Sequence, residues 1–119
     1  MGTAYSVLVV DDDVSWRNIL GLALRQAGYR VSTAGSAEEA LALLQAEVFD
    51  CLVTDAKMPS MSGFELAVRA KALRPGLRIL MVSALSSKKD AEGFPIDGFL
   101  AKPVDCSKLL FWLATSARA

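Results

Sequence analysis

Short apolar runs recur along the chain at intervals that leave room for one helix between each pair. Tyr5 to Val10, Val31 to Ala34, Cys51 to Thr54, Ile79 to Val82 and Phe99 to Ala101 are dominated by β-branched, aromatic or other apolar residues. Each has the length of a strand buried on both faces. Between them the apolar positions follow helical spacing: Ile19, Leu20, Ala23 and Leu24, then Ala40, Leu41, Leu43 and Leu44, then Phe64, Leu66, Ala67 and Ala70. Boundary residues agree with this division. Gly28 closes the first helix, Ser36 with Glu39 forms a capping box for the second, and Pro75-Gly76 stops the third. Asp105 caps a last helix that buries Leu109, Leu110 and Leu113. Strands alternating with helices imply a parallel sheet covered by helices on both faces, so the expected fold is a doubly wound five-stranded α/β domain. No repeat, low-complexity tract or linker divides the 119 residues, and 1–119 reads as a single domain.

Composition narrows the function. Hydrophobic residues make up 53% of the chain and charged residues 22%, which fits a packed core. Lys plus Arg and Asp plus Glu each total 13, so there is no basic excess to favour direct nucleic-acid binding. Cys51 and Cys106 lie far apart and read as reduced thiols. No apolar run reaches the roughly 20 residues of a membrane helix, and the opening "MGTAYS" lacks both a basic and an apolar leader region. A cytoplasmic protein with no membrane partner is expected.

The charge pattern is more telling than its sum. In "VLVVDDD" three carboxylates follow an apolar strand, where mutual repulsion and partial loss of hydration cost stability unless a cation compensates. In doubly wound sheets ligands bind beyond the carboxyl ends of the strands, near the point where strand order reverses. Asp11 and Asp12 follow the first strand, Asp55 the third, Ser83 the fourth and Lys102 the fifth. A hard ion such as Mg²⁺ takes one or two carboxylates and completes its shell with water and phosphate oxygens. Asp12 and Asp55 suit that task, while Lys102 and Ser83 offer a charge and a hydroxyl to phosphoryl oxygens.

The segments "VLVVDDD", "VTDAKMPSMSGFEL", "MVSA" and "FLAKPVD", in this order and spacing, resemble response-regulator receiver domains over essentially the whole chain. The resemblance implies a flavodoxin-like fold and a two-component phosphorelay function. Asp55 would accept a phosphoryl group from a histidine kinase or a histidine phosphotransfer protein. Asp11, Asp12 and Asp55 would hold Mg²⁺ with the backbone carbonyl of Lys57. Lys102 and Ser83 would bind the phosphoryl group, and Phe99 would be the aromatic whose rotamer follows the serine. Lys57 and Leu85, two positions after Asp55 and Ser83, would tune dephosphorylation. Neither offers a carboxylate or amide to orient water, so a slow loss of phosphate is expected.

Each element also has a plainer reading: an acid pair as a solvated loop or cap, Ser83 as a strand-end hydroxyl, Lys102 as a solvated tip, Phe99 as core, "KMPSMSG" as a turn. It is their coincidence at separate strand ends that carries the functional reading. Two rivals come from other classes. A Mg²⁺-dependent phosphohydrolase of haloacid-dehalogenase type would need a second carboxylate where this chain has "DAK", and the chain has no histidine to serve as a general base. A phosphorylation-independent interaction module, or a cofactor binder on the same fold, would leave the acids and Lys102 without purpose. One departure from the family stands out. The segment between Ser83 and Lys102 carries Gly93 and Pro95 where a fourth helix would continue, so that helix should be short or irregular. Phe111 and Trp112, beside the buried positions of the last helix, are candidates for a partner or homodimer face, or for completing the core.

Overall fold

A computed structural model describes residues 5–84 and 88–116. Strands β1 (Ser6–Val10), β2 (Arg30–Ala34), β3 (Cys51–Asp55), β4 (Arg78–Ser83) and β5 (Gly98–Ala101) form one parallel sheet in the order β2-β1-β3-β4-β5. The apolar runs become strands because both of their faces are covered. Leu8, Val10, Leu52 and Ile79 pack on one side with Ala40 and Leu44 of α2 (Ala37–Ala46) and Leu66, Ala67 and Ala70 of α3 (Gly63–Leu73). Val7, Val9, Val53, Leu80 and Val82 pack on the other with Leu20 and Leu24 of α1 (Val14–Gln26) and Leu109 and Leu113 of α4 (Cys106–Ser116). Alternate residues of a strand thus serve opposite cores.

The helix ends follow the expected chemistry, with one adjustment. After α1, Gly28 (φ +99°) donates to the Arg25 carbonyl and Tyr29 to that of Leu24, the paired bonds of a Schellman motif. Ser36 caps α2 by accepting from the Glu39 N–H at 3.1 Å, but the Glu39 carboxylate returns to Gly35 N–H at 2.9 Å, one residue before the position a capping box predicts. Ser62 caps α3 and Asp105 opens α4, accepting from Ser107 N–H at 2.8 Å.

The fourth crossover is short, as its glycine and proline imply. Its described part carries one 3-10 turn, Lys88–Ala91, followed by Gly93 at φ +85°. Phe94 then packs on Phe64 of α3, ring centroids 4.9 Å apart, and Ile96 reaches the α2/α3 core. The two aromatic residues of the last helix divide their roles. Trp112 lies over Gly98 so closely that a Cβ there would meet its indole Nε1 at 2.4 Å, whereas Phe111 points outward, 71% exposed.

Strand order reverses between β1 and β3, which places their carboxyl ends side by side at the switch point.

Candidate functional site

Three consecutive aspartates leave β1, and the fold gives each a different environment. Asp11 is buried, 2% exposed. Its Oδ1 accepts from the Asp13 N–H at 3.0 Å, its Oδ2 accepts from Lys102 Nζ at 2.7 Å, and its backbone carbonyl accepts from the Arg17 guanidinium at 2.8 Å. Asp12 is exposed. Asp13 is the N-cap of α1, its Oδ1 accepting from Ser15 and Trp16 N–H at 2.9 and 3.2 Å. The repulsion implied by the run is therefore relieved by a lysine at one residue, solvent at the next and a helix terminus at the third.

Asp55 ends β3 beside them. Its Oδ1 accepts from the Ala56 N–H at 2.8 Å, while Oδ2 lies 3.6 Å from Lys102 Nζ. Burial raises its carboxyl above the ordinary range. Lys102 opposes that shift, Asp11 adds to it, and the Ala56 and Lys57 N–H groups oppose it. The turn after Asp55 is held by close backbone packing. Gly63 donates to the Ala56 carbonyl at 2.9 Å, and a Cβ on Gly63 would fall 1.9 Å from the carbonyl oxygen of Asp55. Only glycine lets α3 begin against the peptide of that aspartate. Ser60 turns the intervening loop at φ +70°.

Lys102, half-buried after β5, is tied to the next strand by its own N–H, which donates to the Ser83 carbonyl at 3.0 Å. Ser83 is buried at the end of β4, opposite Ala101. Phe99 is half-buried, lies opposite Met81, and belongs to neither core cluster. Lys57 is exposed. Leu85 lies outside the described residues. Asp11, Asp12, Asp55, Ser83 and Lys102 are thus gathered at one end of the sheet, with Phe99 two residues back along β5.

The donor set fits a hard divalent cation. Asp11, Asp12 and Asp55 each bring a carboxylate oxygen within 4.8 Å of the others, and Asp12 keeps the group open to water. Neither histidine nor cysteine is among these ligands, so nothing here selects a soft metal.

Residue type and position alone do not single out Trp16 or Arg17, and they mark Gly63 only as part of the turn after the third strand. Trp16 stands where periodicity asks only for a partly buried helical residue. The contacts of Arg17 and Gly63 become visible only once the β1–α1 and β3–α3 connections are in place.

The sequence profile of the response regulator receiver domain matches residues 7–113. The chain belongs to this family. As a receiver it is 40% identical over 107 residues to the transcriptional regulatory protein ZraR of Salmonella typhimurium, an alignment covering 87% of this chain and 24% of that protein. It therefore spans about a quarter of the length of that curated relative. A 14.6 kDa protein of Leptolyngbya boryana is 39% identical over 109 residues and is covered to 83%. Among solved structures, a CheY-like receiver from Methanospirillum hungatei superposes with TM-score 0.90 at 32% identity, covering 95% of this receiver and 93% of that chain. TrrA of Thermotoga maritima, solved in complex with Mg²⁺-BeF, gives 0.87 at 28% identity, covering 93% and 97%. The five-stranded, flavodoxin-like receiver fold expected from the sequence is the one found, and the match favours neither rival function. Receivers of response regulators work with kinases and phosphotransfer proteins. Among the described residues no helix is long and apolar enough to cross a membrane.

Proposed function

We propose that this receiver accepts a phosphoryl group on Asp55 from a histidine kinase or a histidine phosphotransfer protein, in the cytoplasm, with residues 1–119 acting as one domain. The observation that carries this reading is the convergence of the Asp11, Asp12 and Asp55 oxygens within 4.8 Å on a lysine ammonium 2.7 Å from Asp11 and 3.6 Å from Asp55. The Ala56 N–H occupies Oδ1 of Asp55 and orients the carboxylate, so Oδ2 is the nucleophile. The Oδ2–P bond forms as the donor's N–P bond breaks, and the electron pair returns to the imidazole. Asp11, Asp12 and Asp55, with the Lys57 carbonyl, would hold Mg²⁺, which supplies positive charge for phosphoryl oxygens among acids that otherwise repel them. Lys102 turns toward the new oxygens and keeps its charge compensated. Ser83 donates its hydroxyl to them, and Phe99 follows. Lys57 and Leu85, two positions after Asp55 and Ser83, tune the lifetime of the acyl phosphate; neither offers a carboxylate or amide to orient the attacking water, so the phosphate leaves slowly. The receiver catalyses only its own phosphorylation and slow dephosphorylation.

Incubation with acetyl phosphate and Mg²⁺ followed by intact-mass analysis tests the assignment. One phosphate is expected on the wild type and none on Asp55→Asn or in EDTA. A phosphate retained by Asp55→Asn would overturn it.

A further inference from the structure

Lys102 is confined on a side that the phosphoacceptor chemistry does not use. Its Nζ lies 5.5 Å from the centroid of the Trp16 ring, inside the range in which an ammonium is drawn to an aromatic face. The Lys102 side chain is 9% exposed, so this attraction acts with little competition from water. Two carboxylates and one indole thus surround the ammonium.

The indole is held independently of the lysine. Trp16 lies in the first turn of α1, where its N–H is capped by Asp13 at 3.2 Å, and its ring packs against the α1/α4 core cluster. The wall has a packing anchor of its own, and the lysine, on its long flexible stem, is the part that can move. That matters because Lys102 is nearer to Asp11 than to Asp55, whereas a phosphoryl group would sit on Asp55. The ammonium must shift between the two acids. A hydrogen bond to a single acceptor would be lost in that shift, but the negative potential of an aromatic face is broad and persists over a small displacement. Without the ring, the long lysine stem is free to extend its charge into solvent.

We propose that Trp16 is a positioning residue for Lys102, its indole face keeping the ammonium between Asp11 and Asp55 so that it meets a phosphoryl group held there. The proposal rests on the phosphoacceptor reading of Asp55 and adds a residue that none of the motifs includes.

Calorimetric titration of beryllofluoride in the presence of Mg²⁺, with a thermal melt of each protein, compares wild type with Trp16→Phe and Trp16→Leu. Loss of the ring in Trp16→Leu weakens binding roughly three- to tenfold, and Trp16→Phe stays within about twofold of wild type because it keeps an aromatic face. A role in packing alone would instead lower the melting temperature without separating phenylalanine from leucine in binding. Equal affinities in all three proteins, or equal weakening in both variants, overturns the proposal. Proton NMR of the Lys102 ε-methylene gives a second readout that survives poor folding of Trp16→Leu. Its resonances lie upfield of ordinary lysine in wild type and in Trp16→Phe, and an ordinary position in the wild type overturns the contact. A wild type that binds no beryllofluoride sinks the phosphoacceptor reading and this one with it. A wild type that binds it while Trp16→Leu binds equally well sinks the positioning role alone.

Discussion

Lys102 pairs more closely with Asp11 than with the aspartate it is expected to serve: Nζ is 2.7 Å from Asp11 Oδ2 and 3.6 Å from Asp55 Oδ2. The lysine therefore offsets a buried charge at close range and holds Asp55 by a longer ion pair. Removing only the lysine leaves Asp11, 2% exposed, without its ion-pair partner. Lys102→Met should cost roughly 3–5 kcal/mol in metal-free buffer, the range for breaking one side of a buried pair. If the acid cluster holds Mg²⁺, adding it should stabilise this variant more than the wild type. Thermal melts with and without Mg²⁺ check both statements, and equal stabilisation of the two proteins would remove the cation from the account.

Asp55 carries a pH signature of its own. Burial is the main cause of its raised carboxyl value, ahead of the opposing Lys102 and the reinforcing Asp11. A folded-state value above the unfolded one means that the folded protein binds this proton more tightly. The associated stability is complete below the unfolded value, near 3.9 for aspartate, and is lost as pH rises through the folded value. Asp55→Asn, which leaves Lys102 its Asp11 partner, should therefore melt above wild type at neutral pH in EDTA. The advantage should close as pH falls below the ordinary carboxylate range. A constant difference across that range would mean that packing, not ionisation, separates the two proteins.

Much of this arrangement was legible because the chemistry sits where elements begin and end. Runs such as Val7 to Val10 admit few alternatives to a strand buried on both faces, and Gly93 with Pro95 excludes a long fourth helix. With the strands placed, the strand-end rule gathers Asp11, Asp12, Asp55, Ser83 and Lys102. What stayed hidden depends on distances between separate connections. The pairing of Lys102 with Asp11 over Asp55, the Trp16 face beside it, and the contact of Gly63 with the Asp55 peptide have no local signature. Phe94 meeting Phe64 in place of a fourth helix is of the same kind, since both residues sit in segments whose periodicity points elsewhere.

The aspartate run separates experimentally along the same lines. Asp13→Ala removes the α1 cap and should cost about 1 kcal/mol of stability while leaving Mg²⁺ affinity nearly unchanged. Asp12→Ala removes an exposed carboxylate of the cluster and should show the reverse, with a melting temperature near wild type and much weaker Mg²⁺ binding. Melts and Mg²⁺ titrations on the two variants give the comparison. Equal losses of Mg²⁺ affinity would show that the carboxylates act as one group.

Gly63 and Gly76 make a paired test of close approach. A methyl group on Gly63 would collide with the Asp55 carbonyl at 1.9 Å, whereas Gly76 has no neighbour within 4 Å of such a group. Gly63→Ala should destabilise by roughly 1–3 kcal/mol or more through overpacking and should also displace Asp55. Gly76→Ala should fall within about 0.5 kcal/mol of wild type. Denaturant melts give the first quantity and acetyl phosphate labelling the second. A Gly63→Ala protein that is destabilised yet labels at the wild-type rate would show that α3 recoils while Asp55 stays in place.

Phe99 stands on the edge strand of the sheet, and the ladder fixes which face it shares. Phe99 lies opposite Met81 and Ala101 opposite Ser83, so all four side chains share one face of the sheet, with the small Ala101 between the aromatic ring and the serine along β5. Phe99 lines two open surface depressions, one with Phe94 and Ile96 and one with Leu100, Lys102 and Lys108. A ring embedded in either core cluster would be locked by neighbours; one at the edge of two open spaces has alternative seats separated by little packing energy. If Ser83 moves toward a phosphoryl group on Asp55, the space that it leaves lies on the face Phe99 already occupies. With fluorinated phenylalanine incorporated, the Phe99 resonance, assigned by its loss in Phe99→Ala, should shift when beryllofluoride and Mg²⁺ are added. The same addition to Ser83→Ala should bind and yet produce a smaller shift, because the serine no longer couples the phosphoryl group to the ring. A resonance that stays put in the wild type while calorimetry shows saturation would mean that Phe99 keeps one seat throughout and that any signal leaves the site by another route.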